Sequence, residues 1–173
     1  VRLAAVRESG LALQHIKNPS EQSVLVAIRK NWQAIQFTQN PSEAVQVAAV
    51  QKNGRALEHI KNPSIAVQLA AIQTDTSAIQ YIKNPSEEFC FAAVRRNGLA
   101  LRHIKNPSEE LQLAAVQQNG EAIAYIENPS EEMQLAAVQG YDYTIQHIKN
   151  PSEAVQLAAV QQNGRTIQWI ENP

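Results

Sequence analysis

The chain has 173 residues, 44% of them hydrophobic and 18% charged, and its formal net charge is −1. That is enough apolar material for a folded core, yet no stretch comes near the roughly 18 consecutive apolar residues of a membrane helix, and no charged start leads into an apolar run as in a signal peptide. The one cysteine, Cys90, has no internal disulfide partner, which fits a reducing, cytoplasmic setting.

Taken in chain order, the elements announce themselves through proline. Pro19, Pro41, Pro63, Pro85, Pro107, Pro129, Pro151 and Pro173 each stand 22 residues apart, so the chain reads as one continuous array over 1–173 with repeats opening at each of the first seven. Val1 falls inside a repeat and Asn172-Pro173 opens another, so the expectation is an excerpt of a longer array. Leu3, Ala4, Ala5 and Val6 at the start and Ile167, Trp169 and Ile170 at the end are interior-type repeat residues, which predicts possible end-to-end self-association of the isolated segment.

Each repeat decodes as two helices. In the unit beginning IKNPSEELQLAAVQQNG, Asn106 is expected to cap a first helix starting at Pro107, with Glu109 completing a capping box. That helix should end at Asn119-Gly120, the glycine taking a left-handed conformation, and a second helix should run from Glu121 to about Glu127. Leu111, Leu113, Ala114, Ala115 and Val116 cover most of the first helix, so it must be sandwiched between neighbours. The Ala115 column is alanine throughout (Ala5, Ala27, Ala49, Ala71, Ala93, Ala137, Ala159), which predicts close helix approach. The expected fold is all-α, an α-solenoid of tandem 22-residue two-helix repeats forming a HEAT/armadillo-like superhelix.

Departures from the repeat come in order along the chain. Lys30-Asn31-Trp32 replaces the first Asn-Gly turn after Pro19, Thr74-Asp75-Thr76-Ser77 a later one, and Gly140-Tyr141-Asp142-Tyr143 another. One first helix reads Phe89-Cys90-Phe91 and ends in Arg95-Arg96, and Cys90 there is expected to be partly exposed. Trp32, Tyr141 and Tyr143 at loop tips are the kind of residue that interfaces use as anchors.

A second pattern runs through the shorter helix. One column reads His15, Phe37, His59, Tyr81, His103, Tyr125, His147, Trp169, so every histidine falls there and alternates with an aromatic ring. Successive histidines lie two repeats apart, too far to share a zinc ion whose ligands sit about 2 Å from it. Core-margin packing and a half-exposed row of stacking platforms are the two readings of this column. Glutamate crowds the Asn-Pro junctions and lysine or arginine the Asn-Gly turns, a distribution that the helix dipole by itself favours.

Units of the form NPSEEVQLAAVQQNG resemble the short two-helix repeats of a domain-of-unknown-function family seen in bacterial, phage and large-virus proteins, and the resemblance covers the whole chain. It implies an α-solenoid and transfers no catalytic residue, cofactor or substrate. No repeat combines a nucleophile, a base and an orienting group, so the expected function is non-catalytic, without metal or cofactor. The reading is a scaffold binding a protein or peptide on an extended face lined by Gln46, Gln68, Gln112, Gln134 and Gln156 and by the ring column. Candidate contact residues are Trp32, Phe37, His59, Tyr81, Arg95, Arg96, His103, Tyr125, Tyr141, Tyr143 and His147. The alternative is a nucleic-acid-binding array using the Asn-Gly edge; it lacks a basic residue repeated at every turn.

Overall fold

A computed structural model describes residues 1–170. The repeat opening at Asn172-Pro173 lies outside them. Eight α-helices alternate with eight 3-10 helices, and among the described residues there is no strand. The α-helices are α1 (Arg2–Glu8), α2 (Glu21–Lys30), α3 (Glu43–Lys52), α4 (Ile65–Thr74), α5 (Glu87–Arg96), α6 (Glu109–Gln118), α7 (Glu131–Gly140) and α8 (Glu153–Gln162). The 3-10 helices are η1 (Gly10–His15), η2 (Trp32–Phe37), η3 (Gly54–His59), η4 (Thr76–Tyr81), η5 (Gly98–His103), η6 (Gly120–Tyr125), η7 (Asp142–His147) and η8 (Gly164–Trp169).

The protein is thus all-α and built of repeating α-plus-3-10 units. It divides into two compact units, Val1–Phe89 and a second beginning at Cys90, with the boundary inside α5. Within each, α-helices pack on α-helices and 3-10 helices on 3-10 helices of the neighbouring repeat, the arrangement of a helical-repeat solenoid.

Several local expectations are corrected. The α-helices begin two residues after proline, and the cap is serine: the hydroxyls of Ser42, Ser64, Ser108, Ser130 and Ser152 accept from the backbone N–H three residues on. Asparagine before proline does another job. Asn18, Asn40, Asn62, Asn106 and Asn150 sit at φ of 47–53°, the left-handed region that asparagine tolerates better than most residues, and so turn the chain between layers.

The Asn-Gly turn is also built differently. Asn119 is extended (φ −151°, ψ 111°) and its Oδ1 accepts from the Glu121 N–H at 2.9 Å, capping η6. No described glycine has a positive φ, so glycine is needed there for another reason. A Cβ on Gly98 would stand 2.3 Å from the Ala115 carbonyl oxygen, on Gly120 2.7 Å from that of Ala137, and on Gly10 2.4 Å from that of Ala27. Glycine marks where one repeat's turn meets the backbone of the next.

The shorter helix is 3-10 and ends at Tyr125, two residues before the expected Glu127. It is sealed by an Ile126 N–H bond to the Ile123 carbonyl at 3.1 Å. Burial on α6 is narrower than the sequence suggests, with Leu111, Ala115 and Val116 buried but Leu113 and Ala114 only half-buried. Cys90 is corrected as well: it is buried, beside a Phe89 that fills the core position. The alanine column is fully buried from Ala27 to Ala159.

Candidate functional site

In the first unit the anticipated contact residues are largely committed to the fold. Trp32 is no exposed loop tip: it opens η2, is half-buried against the core, and stacks on His59 with centroids 6.3 Å apart and planes inclined by 29°. Phe37 and Tyr81 end their 3-10 helices half-buried against the same core, whereas His15 and His59 are exposed. The core-margin reading of the ring column therefore describes Phe37 and Tyr81 but not the two histidines of this unit.

Beyond Cys90 the column is treated differently. His103 is half-buried and its Nε2 accepts from Arg102 Nε at 3.0 Å. Tyr125 is 47% exposed and Trp169 38%, and His147 is exposed beside them in sequence order. These residues close η6, η8 and η7, and neighbouring 3-10 helices pack together, so the rings share one edge of the second unit.

A separate cleft of about 430 Å³ opens on the α-helical layer of this unit, lined by Phe91, Arg95, Glu110, Leu113, Ala114, Gln117 and Gln118. Its floor is the half-buried face of α5 and α6 that helix periodicity alone would have hidden. Arg95 lies over the Phe91 ring, 5.7 Å from the centroid, a cation–π contact at the rim; Arg96 is exposed next to it. The guanidinium on one side and the Glu110 carboxylate on the other give the cleft both charges.

The glutamine row reads otherwise in three dimensions. Nε2 of Gln46, Gln68, Gln112, Gln134 and Gln156 donates to the carbonyl of Pro41, Pro63, Pro107, Pro129 and Pro151 at 2.8–3.0 Å, so each amide ties its α-helix to the turn that precedes it. Their half-buried side chains brace the repeat.

Acidic residues at the Asn-Pro edge have a similar structural role. The hydroxyls of Ser42, Ser64 and Ser152 donate to Glu21, Glu43 and Glu131 of the preceding repeat while also accepting from their own helix. Sequence reasoning assigned these carboxylates to the helix dipole; the 21-residue Glu-to-Ser interval was the signal that could have revealed the rungs.

The turn before η7 is the most altered. Tyr141 replaces the capping asparagine and leaves η7 without a side-chain cap, and Asp142 replaces glycine. Thr144, fully buried where most repeats carry alanine, donates its hydroxyl to the Tyr141 carbonyl at 2.7 Å. Tyr141 and Tyr143 meet edge to face at 6.0 Å, and the Tyr143 hydroxyl donates to Glu121 Oε1 at 2.7 Å. That hydrogen bond, with some desolvation and the Glu121 charge, holds the Tyr143 phenol above its ordinary value of 10.0.

Among the described residues no group of three or more histidine, cysteine, aspartate or glutamate side chains converges to hold a metal, and no helix is long and apolar enough to cross a membrane. No family model, curated protein or solved structure matches the chain.

Proposed function

We propose that this chain is a non-catalytic repeat scaffold that binds a protein or peptide segment along the 3-10 edge of its second unit. The observation that carries the reading is the exposure of Tyr125, at 47%, in a fold that buries the equivalent Phe37 and Tyr81 more deeply. Large rings with few rotatable bonds lose little entropy on contact and supply much apolar area, which is why such residues anchor interfaces. Repetition adds to this, because adjacent 3-10 helices present the same column at regular intervals to an extended partner.

A displayed peptide library selected on the 173-residue protein, read out on the wild type and on a Tyr125→Ala/Trp169→Ala variant, tests the proposal. Selected peptides should lose most of their affinity for the variant while its thermal unfolding stays within a few degrees of wild type. Retained binding by the variant would remove the ring edge from the argument. A nucleic-acid probe should show no salt-dependent shift; a strong one would favour the alternative use of the basic turns.

A further inference from the structure

The turn joining α7 to η7 departs from the rule that six of the other seven repeats follow, Ser9 before η1 being the second residue without a side-chain cap. At this position Asn31, Asn53, Asp75, Asn97, Asn119 and Asn163 each cap their 3-10 helix through a side-chain oxygen, and Tyr141 does not. A tyrosine that gives up a cap and stays 41% exposed contributes little to folding where it stands.

The residues around it are arranged as a corner. Tyr141 Cδ2 lies 3.1 Å from where a Cβ on Gly120 would be, so the ring rests against a glycine that leaves room for it. Tyr143 meets that ring edge to face at 6.0 Å and is fixed by its 2.7 Å bond to Glu121, itself half-buried. Asp142, between the two tyrosines in the chain, is half-buried. Two aromatic rings beside two carboxylates concentrate negative potential; the Glu121 hydrogen bond, then burial and the neighbouring negative charges, raise the Tyr143 phenol above its ordinary value. Arg165 occupies the equivalent of Tyr143 one repeat on, yet among the described residues no ion pair or cation–π contact joins it to this corner.

We infer that Tyr141, Tyr143, Glu121 and Asp142 form a binding site for an organic cation, an alkylammonium or guanidinium group that packs on the tyrosine faces while the carboxylates balance its charge. The site lies at the opposite end of η7 from the ring column and does not depend on that column binding a peptide. Ring quadrupoles attract a cation through their faces, and weakly hydrated cations with alkyl substituents lose least on leaving water, so quaternary ammonium and guanidinium groups fit better than a bare metal ion. Such a group could belong to a free small molecule or to a basic side chain of a partner.

Choline, n-butylammonium, ethylguanidinium and the uncharged choline isostere 3,3-dimethyl-1-butanol, each titrated into the 173-residue protein at fixed ionic strength, separate these chemistries. The readout is the ring NMR signals of the four tyrosines. At least one cation should shift Tyr141 and Tyr143 saturably, and the neutral isostere should not; the cation preferred tells a quaternary ammonium from a lysine-like or arginine-like group. Glu121→Gln should weaken the response roughly two- to fivefold, about the size of one exposed charge contact. Tyr141→Asn restores the repeat's own cap, so that variant should unfold at the same or a higher temperature and yet lose the response. Equal shifts with the isostere, equal shifts at Tyr81 and Tyr125, or full binding by Tyr141→Asn would each overturn the assignment.

Discussion

The two units are built from one repeat, yet they place the aromatic members of one ring column differently. Before Phe89 the aromatic members Phe37 and Tyr81 pack half-buried on the core, while His15 and His59 are exposed and Trp32 at the start of η2 stacks on His59. Beyond Cys90 the corresponding Tyr125, which has a repeat on either side of it, is 47% exposed. Both units contain the close glycine contact, Gly10 with the Ala27 carbonyl in the first and Gly98 with that of Ala115 in the second, and both also hold repeats where another residue, Trp32, Thr76 or Asp142, stands in the glycine's place. The buried alanine column is common to both units, and the ring column varies. A side chain's role in a repeat is set by its neighbours rather than by its column.

The close glycine contact should give the largest effects, and equal ones in both units. A Cβ at Gly10 or Gly98 would stand 2.4 or 2.3 Å from a carbonyl oxygen, so backbone rather than a flexible side chain must move. Gly10→Val and Gly98→Val are each expected to destabilise by about 3 kcal/mol or more in chemical denaturation. If one of the two proved harmless, the claim of a common contact would fail.

The rings should separate the units. Phe37→Ala removes a half-buried ring packed on the core and should cost about 1–2 kcal/mol, whereas Tyr125→Ala should fall within about 0.5 kcal/mol of wild type. Equal losses would mean that the exposed column is structural after all. Between these sizes lie the serine caps. Ser42→Ala and Ser152→Ala each remove a cap and a rung to the preceding glutamate, at about 1 kcal/mol, and similar values in both units are expected.

Much of this architecture could be read from the residues alone. The 22-residue proline period, the alternation of two helical segments and the invariant alanine column all correspond to what the fold contains. What escaped was the division of labour inside the motif. Asn106 and Ser108 are both good caps by composition, and only the left-handed turn at the asparagine, which frees the serine to lead the helix, decides between them. Gly120 follows an asparagine at a helix end, where left-handed glycine is common, but the demand on it comes from Ala137, 17 residues away, and no local rule carries that information. The same holds for the candidate site. Sequence marked Trp32, Tyr141 and Tyr143 as equivalent loop aromatics; their partners, His59 for one and Glu121 for another, lie a repeat or more distant and set their exposure.

The smallest expected effect isolates the glycine contact most cleanly, because it compares one substitution at two copies of one residue. Gly120 and Gly164 both follow a capping asparagine, both begin a 3-10 helix, and neither has a positive φ. Their surroundings differ: a Cβ at Gly120 would meet the Ala137 carbonyl at 2.7 Å, and one at Gly164 meets nothing within 4 Å. Alanine at Gly164 should therefore act only on the unfolded chain, whose freedom it reduces, and stabilise by about 0.4–1 kcal/mol. At Gly120 the same entropic gain is present but is outweighed by the forced retreat of a neighbouring backbone, so Gly120→Ala should destabilise. Opposite signs for the two alanines, measured in one denaturation series, would assign the glycine requirement to contact between repeats. Matching signs would return it to the turn's own conformation.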